Sequence, residues 1–195
     1  KKWHHLYLTS PNCFGTVATM QTEELQRLSA AIRDVPDFPE PGILFKDITP
    51  VLGDGELFAM AVRGLAETVH GTIVDKVVGI DARGFIFGAA VANLLGAGFV
   101  PIRKKGKLPW ATEIESYSLE YGEAEIEIHK DAVLKDEKVL VIDDLLATGG
   151  TAGAALKLIN SIGGKVIAVS FFIELTFLNG RERLGANRVE TILSY

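Results

Sequence analysis

The chain has 195 residues, 48% hydrophobic and 23% charged, which is the composition of an ordinary soluble globular protein. Its formal net charge of −5 argues against binding through broad phosphate neutralisation, so we expect no nucleic-acid partner. The single cysteine excludes an intrachain disulfide, and no apolar run approaches the roughly 20 residues that span a bilayer, so we expect a cytoplasmic protein without membrane contact.

The first residues differ from the rest of the chain. Lysines and histidines precede a mixed stretch, and Met20 reads as a natural start. Neither the continuous apolar core nor the small-residue cleavage site of a signal peptide is clear here. We therefore interpret residues 1–19 as a non-native tag or upstream extension, and we expect residues 20–195 to form a single domain.

The N-terminal part of this domain predicts one helix followed by an irregular segment. Leu25, Leu28 and Ile32 recur at helical spacing. This spacing predicts a helix over residues 20–33, with Thr22 as its N-cap. The prolines that follow fix their own backbone and restrict the residues before them, so no regular structure is expected there.

Short buried strands alternate with helices along the rest of the chain. The apolar, β-branched runs typical of strands buried on both faces are 76–80, 99–102, 138–142 and 165–173. The segments with helical patterns are 58–69, 85–95 and 151–162. Alternating stretches at 117–121 and 124–129, joined near Gly122, predict a ribbon, whereas residues 103–116 are polar and basic without periodicity. This order predicts an α/β fold, a mostly parallel central sheet flanked by helices, with ligands bound at the carboxyl edge of the strands.

The strongest functional motif follows the strand over residues 138–142. Asp143 and Asp144 come directly after it, and two adjacent carboxylates need compensating partners such as sugar hydroxyls or a metal-loaded ligand. The small-residue loop over 147–151 can offer backbone N–H groups, hydroxyls and a helix N-terminus to one phosphate. A plain tight turn with Thr151 as N-cap would explain the loop but not the acidic pair. The loop is not a Walker A motif, because no lysine follows its last glycine. It is not a Rossmann fingerprint either, because the glycines of that motif follow the first strand and have no acidic pair before them.

This motif resembles the phosphoribosyl pyrophosphate (PRPP) binding signature of the type I phosphoribosyltransferases. The resemblance implies the fold of that family, with a small N-terminal hood and a mobile catalytic loop. It implies that Asp143 and Asp144 hold the ribose 2′ and 3′ hydroxyls. The residues that would then cradle the 5′-phosphate are Ala147, Thr148, Gly149, Gly150 and Thr151.

Three further segments are similar to adenine-specific members of the family. They are residues 38–50, which resemble the base-binding stretch, residues 81–85, which resemble the pyrophosphate loop, and residues 103–109 with 117–122, which resemble the catalytic loop. The similarity runs from about residue 20 to about residue 189. It implies that adenine and PRPP give AMP and pyrophosphate in purine salvage, with Mg²⁺ bridged by PRPP oxygens and waters, in a homodimer. The alternatives are a hypoxanthine, guanine or xanthine transferase with the same PRPP loop, and a PRPP-sensing regulator without turnover.

Cationic residues are expected to stabilise the pyrophosphate leaving group. A guanidinium fork suits bidentate phosphate binding, and Arg83 follows a buried strand at the expected edge, although it could instead pair with Asp81. Lys104 and Lys107 are expected to contact the pyrophosphate, and Lys105 to face solvent.

The lid and the base site complete the expectations from the resemblance. Glu120, one of several acids on the ribbon, would manage a proton on the purine, and Tyr121 would belong to the lid that excludes water. Phe45 would stack on adenine, unless it is a core residue, with backbone groups of Leu44 and Lys46 reading the base edge. Many relatives carry arginine where this chain has Lys46, which puts a side-chain role for that lysine in doubt. No zinc site can be read from the histidines, and no direct metal ligand is expected.

Overall fold

The N-terminal part of the described chain forms a small hood beside the central sheet. A computed structural model describes residues 20–119 and 122–195. Helix α1 (Thr22–Ala31) leads into an antiparallel pair of strands, β1 (Arg33–Pro36) and β2 (Leu44–Asp47), which we call the hood. The short helix α2 (Thr49–Gly53) follows.

Seven strands of the described residues form the central sheet, in the order β5-β6-β4-β3-β7-β8-β9. Their bounds are β3 (Lys76–Ile80), β4 (Gly98–Lys104), β5 (Thr112–Leu119), β6 (Gly122–His129), β7 (Lys138–Leu146), β8 (Lys165–Glu174) and β9 (Val189–Ser194). The longer helices are α3 (Gly55–Glu67), α4 (Gly84–Leu95) and α5 (Gly150–Ser161). The five neighbouring strands β4, β3, β7, β8 and β9 pair in parallel. The strands β5 and β6 form an antiparallel ribbon, and β6 pairs antiparallel with the end of β4. The predicted α/β architecture with a mostly parallel sheet is confirmed.

Helices cover both faces of the sheet because successive side chains of a strand point to opposite faces. Val77 and Leu140 pack with the helices α1, α3 and α4, where Phe87 is fully buried. Val78 and Val141, one residue further along their strands, pack with α5 on the other face. The continuous apolar runs in the sequence therefore reflect burial on both faces.

Two helix starts differ from the sequence predictions. The N-cap of α1 is Gln21, not Thr22, because the Glu24 side chain accepts a 3.0 Å bond from the Gln21 N–H and so places the cap one residue earlier. Helix α3 begins at Gly55 rather than near Phe58, because the Asp54 side chain accepts bonds from the next N–H groups, at 2.9 and 3.0 Å.

The prediction that residues 103–116 are irregular is wrong at both ends. Strand β4 continues to Lys104, and β5 already begins at Thr112, which pairs with His129. On β5 the glutamates Glu113 and Glu115 are partly buried whereas Ile114 is 40% exposed, so the polarity of the side chains does not follow their burial and the strand pattern was not readable. Other elements were not predicted at all: β1, β2, α2, β9 and the 3₁₀ turns Thr176–Leu178 and Gly180–Leu184.

Within the described residues, every helix is too short or too polar to traverse a lipid bilayer.

Candidate active site

The acidic pair lies on the last part of β7, where this strand pairs with β8 but no longer with β3. Strand β3 pairs with β7 only as far as Ile142, whereas β8 continues to pair with it up to Leu146. Asp143 and Asp144 therefore belong to the strand, and are not the first residues after it as the sequence suggested. Their backbone is held by β8, so the two side chains project from a rigid support at the carboxyl edge of the sheet.

Burial opposes the ionisation of both carboxyl groups. Burial raises the pKa of Asp143 well above its ordinary value, and the neighbouring charge of Asp144 raises it further. Burial also raises the pKa of Asp144, which is 6% exposed, although the Arg83 guanidinium opposes this effect. Arg83 Nε lies 2.9 Å from Asp144 Oδ2, and the Asp144 N–H donates a 2.9 Å bond to Asp143 Oδ1.

The loop after β7 turns sharply into α5 and packs against a distant part of the backbone. Gly149 is the N-cap of α5 and has a φ of 78°, which favours glycine. A Cβ atom at Gly149 would overlap the carbonyl group of Gly180, and a Cβ atom at Gly180 would overlap the carbonyl oxygen of Ala147. The two backbones can approach this closely only because both positions lack side chains.

Cavities border this loop on two sides. A small one of about 80 Å³ is lined by Asp143 and by residues 145–152, which include all five predicted phosphate-binding residues. A larger one of about 620 Å³ is bordered by Gly149 and Gly150 and by Tyr117 of β5 and Arg183. Strand β5 of the ribbon therefore borders a cavity that the start of this loop also lines.

Arg83 stands at the start of α4, directly against the end of β7. A Cβ atom on Gly84 would lie 2.6 Å from Asp143 Oδ1, so glycine permits this close approach. The alternative in which Arg83 pairs with Asp81 is wrong, because the ion pair of Asp81 is made with Arg103, at 3.3 Å. The peptide bond between Asp81 and Ala82 is cis.

The hood brings Phe45 next to this arginine. The guanidinium carbon of Arg83 lies 5.4 Å from the centroid of the Phe45 ring, and Phe38 contacts Phe45 edge-on at 5.1 Å between centroids. The interpretation of Phe45 as a core residue is not supported: Ile48 is buried, but Ile43 is 45% exposed and Phe45 itself is only partly buried. Leu44, the neighbouring residue on β2, is half exposed.

The Lys46 side chain is engaged within the protein. Its ammonium lies 2.6 Å from Asp34 Oδ1 and 4.1 Å from the centroid of the Tyr195 ring. Only 12% of the side chain is exposed. These contacts hold the ammonium between the hood and the C-terminal residue, so any contact of Lys46 with a base would fall to its backbone.

The three lysines at the end of β4 and in the turn after it, Lys104, Lys105 and Lys107, are all exposed. Of these, Lys105 pairs with Glu125 at 2.9 Å on the ribbon. The predicted catalytic Glu120 and lid residue Tyr121 lie outside the described residues.

Several residues that shape the site had no clear signal in the sequence. Gly180 follows Asn179, whose positive φ of 51° marks a turn, but its contact with the loop joins segments far apart in sequence. Glu127 is buried between two isoleucines of β6, where alternation alone would have indicated a solvated acid. The ion pair of Arg103 with Asp81 joins the ends of neighbouring strands and could have been inferred from their parallel order.

Known proteins are similar to this chain in sequence and in fold. A family model for the phosphoribosyl transferase domain matches residues 51–184. An adenine phosphoribosyltransferase from Acidothermus cellulolyticus is 58% identical over 167 residues, which cover 85% of this chain and 94% of that protein. Its counterpart from Myxococcus xanthus is 53% identical over 168 residues, 86% of this chain and 91% of that protein.

The solved structures agree. The adenine phosphoribosyltransferase of Rhodothermus marinus superposes with a TM-score of 0.86 at 53% identity, covering 90% of this chain and 100% of that one. The Saccharomyces cerevisiae enzyme, complexed with an imino-altritol bisphosphate and adenine, has a TM-score of 0.84 at 38% identity, covering 88% of this chain and 99% of that one. The chain therefore belongs to the phosphoribosyltransferase family, and within it to the adenine phosphoribosyltransferases.

Proposed function

We propose that the chain transfers the 5-phosphoribosyl group of PRPP to adenine, giving AMP and pyrophosphate for purine salvage. The observation that carries the proposal is the convergence of Asp143, Asp144, Arg83 and Phe45 beside a glycine loop at one edge of the sheet. The yeast relative was crystallised with adenine and a sugar bisphosphate analogue, the two ligand types that such a site would hold.

The acidic pair and the glycine loop are proposed to hold the ribose phosphate. Asp143 and Asp144 would accept hydrogen bonds from the 2′ and 3′ hydroxyls, which would compensate for the burial that raises the pKa of both carboxyl groups. The backbone N–H groups from Ala147 to Thr151, at the N-terminus of α5, would bind the 5′-phosphate.

The cations nearby are proposed to stabilise the leaving group. Arg83 uses Nε for its contact with Asp144, so its two Nη atoms can bind a pair of pyrophosphate oxygens. Lys104 and Lys107 are exposed at the end of β4 and in the turn after it, and would add charge where it builds on the departing oxygen.

The base would lie against the hood. Phe45 is partly exposed and braced edge-on by Phe38, so its ring can stack on a purine, and backbone groups of Leu44 and Lys46 would read the base edge. Glu120 would manage the purine proton and Tyr121 would help exclude water from the ribose cation. Similarity to the family is the support for these last two roles.

A Mg²⁺ ion at this site would arrive with the substrate. Among the described residues, no group of three or more His, Cys, Asp or Glu side chains could cage a metal ion. Mg²⁺ commonly keeps several waters and binds substrate phosphates, so PRPP oxygens and waters would supply most of its shell. When bound, Mg²⁺ would neutralise part of the charge of the pyrophosphate.

We further propose a cytoplasmic homodimer that uses the outer face of α4. This helix carries no charged residue, and Ile86 and Leu94 on it are each 42% exposed. An uncharged helix face with exposed apolar side chains is typical of a surface that another protein covers.

An assay with competing bases tests the function. With PRPP and Mg²⁺, radiolabelled adenine is expected to give AMP, whereas hypoxanthine and guanine give little product. IMP formed from hypoxanthine without AMP formed from adenine would favour the other purine transferases. Binding of PRPP without turnover of any base would favour the regulator.

A further inference from the structure

Glu127 is a buried acid in the ribbon with a specific set of partners. Its side chain is 3% exposed and sits on β6 between Ile126 and Ile128, both of which are also buried. One oxygen, Oε1, accepts the backbone N–H groups of Lys107 and Leu108, each at 2.8 Å. The carboxylate thus binds the turn that carries a proposed pyrophosphate lysine.

The backbone donors keep this buried acid ionised. Burial by itself raises the pKa of Glu127, but hydrogen bonds from the N–H groups of Leu108, Gly106 and Lys107 outweigh it, and the pKa is lowered overall. Gly106 has a φ of 80°, which lets the turn curl around the carboxylate.

The other side of the same peptide segment is held from β4. Arg103 donates from Nη1 to the carbonyl oxygen of Lys107 at 3.1 Å, and its Nε contacts Asp81 at 3.3 Å. The N–H and the carbonyl group of Lys107 are therefore both fixed, by side chains from two different strands. A lysine has a long flexible stem, so fixing its backbone is the way the fold can limit where its ammonium reaches.

We propose that Glu127 is a positioning residue for Lys107, and through it for the pyrophosphate group of PRPP. This proposal rests on the proposed function, in which Lys107 contacts the pyrophosphate. Glu127 touches no substrate itself. Because AMP has no pyrophosphate, a defect in Glu127 weakens binding of PRPP and pyrophosphate and leaves binding of AMP intact.

Substitutions at Glu127 test the proposal against a matched control on the same strand. Glu127→Leu is expected to raise the KM for PRPP and the inhibition constant of pyrophosphate about 10-fold. Glu127→Gln, which keeps one acceptor oxygen, is expected to give a smaller rise, with the Kd of AMP within about 2-fold of the parent for both variants. Glu125→Gln changes a partly exposed acid of β6 that pairs with Lys105 and should leave all three constants unchanged.

Lys107→Met separates this proposal from the proposed function. If Lys107→Met leaves the KM for PRPP unchanged, the role of Lys107 in the proposed function is wrong. If it raises that KM while both Glu127 variants behave as the parent does, the positioning role is wrong and the function stands. An equal loss of AMP and pyrophosphate binding in Glu127→Gln would also overturn it, since that result indicates general damage. Combining Glu127→Leu with Lys107→Met should add less than about 2-fold, because coupled residues are not additive.

Discussion

Asp143 and Asp144 are adjacent in sequence but are compensated differently. Asp144 has a direct ion pair with Arg83 at 2.9 Å. Asp143 accepts a hydrogen bond from the Asp144 N–H and lies next to the negative charge of the Asp144 side chain. Asp143 is therefore the residue at which the proposed binding of a sugar hydroxyl conflicts most directly with stability of the fold. Sites of this kind commonly gain stability when the functional group is neutralised.

Asp143→Asn should stabilise the fold while damaging activity. Asparagine keeps an oxygen that can accept the Asp144 N–H but carries no charge, so about 1 kcal/mol of stability is expected near neutral pH, or roughly 2–4 °C in Tm. The kcat/KM for PRPP should fall about 10- to 100-fold, because a charge-assisted hydrogen bond is lost. Thermal unfolding and steady-state kinetics of the two proteins measure both effects.

The gain from Asp143→Asn should depend on pH in a defined direction. The pKa of Asp143 is higher in the folded protein than in the unfolded chain, where it is near 4. Ionisation of Asp143 therefore destabilises the fold as the pH rises above about 4. The difference in Tm should thus be larger at pH 8 than at pH 5. Glu174→Gln is the control of opposite sign: hydrogen bonds from Arg181 lower the pKa of Glu174 against the effect of burial, so this variant should lose stability at neutral pH. A lower Tm for Asp143→Asn at pH 8 would contradict the argument.

Phe45→Leu should raise the KM for adenine and leave the KM for PRPP nearly unchanged. The phenyl ring is braced by Phe38 and faces Arg83, so its loss removes a stacking surface at the edge of the ribose site. An increase in the KM for adenine of about 5- to 50-fold is expected from the magnitude of base stacking. The KM for PRPP, measured in the same assay, should stay within about 2-fold. Equal increases in both constants would place Phe45 in general support of the hood.

At the scale of elements, the loop over residues 147–151 packs against the 3₁₀ turn Gly180–Leu184. Gly180 touches the carbonyl oxygen of Ala147, and Arg181 ties the turn to Glu174 at the end of β8, with two bonds of 2.7 Å. Strand β8 is therefore connected to the loop in two ways. It pairs with β7, which leads into the loop, and it binds the 3₁₀ turn that packs against the loop.

Gly180→Ala should displace the loop over residues 147–151, which we propose binds the 5′-phosphate. A Cβ atom at this position would also lie 2.9 Å from a methyl group of Leu146, so the turn must move away from the loop. A loss of about 1–3 kcal/mol in stability and a weaker Kd for AMP are expected. Gly55→Ala is the matched control, since a Cβ atom there meets nothing within 4 Å and alanine favours the helix. Unchanged AMP binding in Gly180→Ala, measured by calorimetry, would show that the loop does not need this contact.

The elements that could be predicted are those whose burial is uniform along their length. Strand β3 was predicted with its observed bounds, residues 76–80, because it is central and both its faces are buried. The ribbon strand β5 and the hood strands were missed or shortened, because exposed edges carry charged residues and short strands have no readable period. Strand β9 ends the sheet at the far edge, where its partial burial gives only a weak pattern.

At the scale of the whole molecule, the site joins segments that are far apart in sequence. The carboxyl-edge rule for parallel sheets correctly brought residues 81–84 and 143–151 to one place, and the contact of Phe45 with Arg83 adds the hood. Contacts that depend on how loops pack could not be predicted from spacing. The approach of Gly180 to Ala147 and the hydrogen bond from the Lys107 N–H to the Glu127 side chain are of this kind, because each involves backbone atoms that only the folded chain brings to that place.

The proposed homodimer interface on the outer face of α4 can be tested by substitution. If the homodimer uses this face, Leu94→Glu places a charge in an apolar interface, and the protein should become monomeric in size-exclusion chromatography with light scattering. Leu134→Glu is the control, because Leu134 is 66% exposed and belongs to the turn between β6 and β7 rather than to α4. Dimers that persist in Leu94→Glu would move the interface elsewhere. A parent protein that is monomeric at micromolar concentration would contradict the homodimer itself, and the exposed Ile86 and Leu94 would then need another partner.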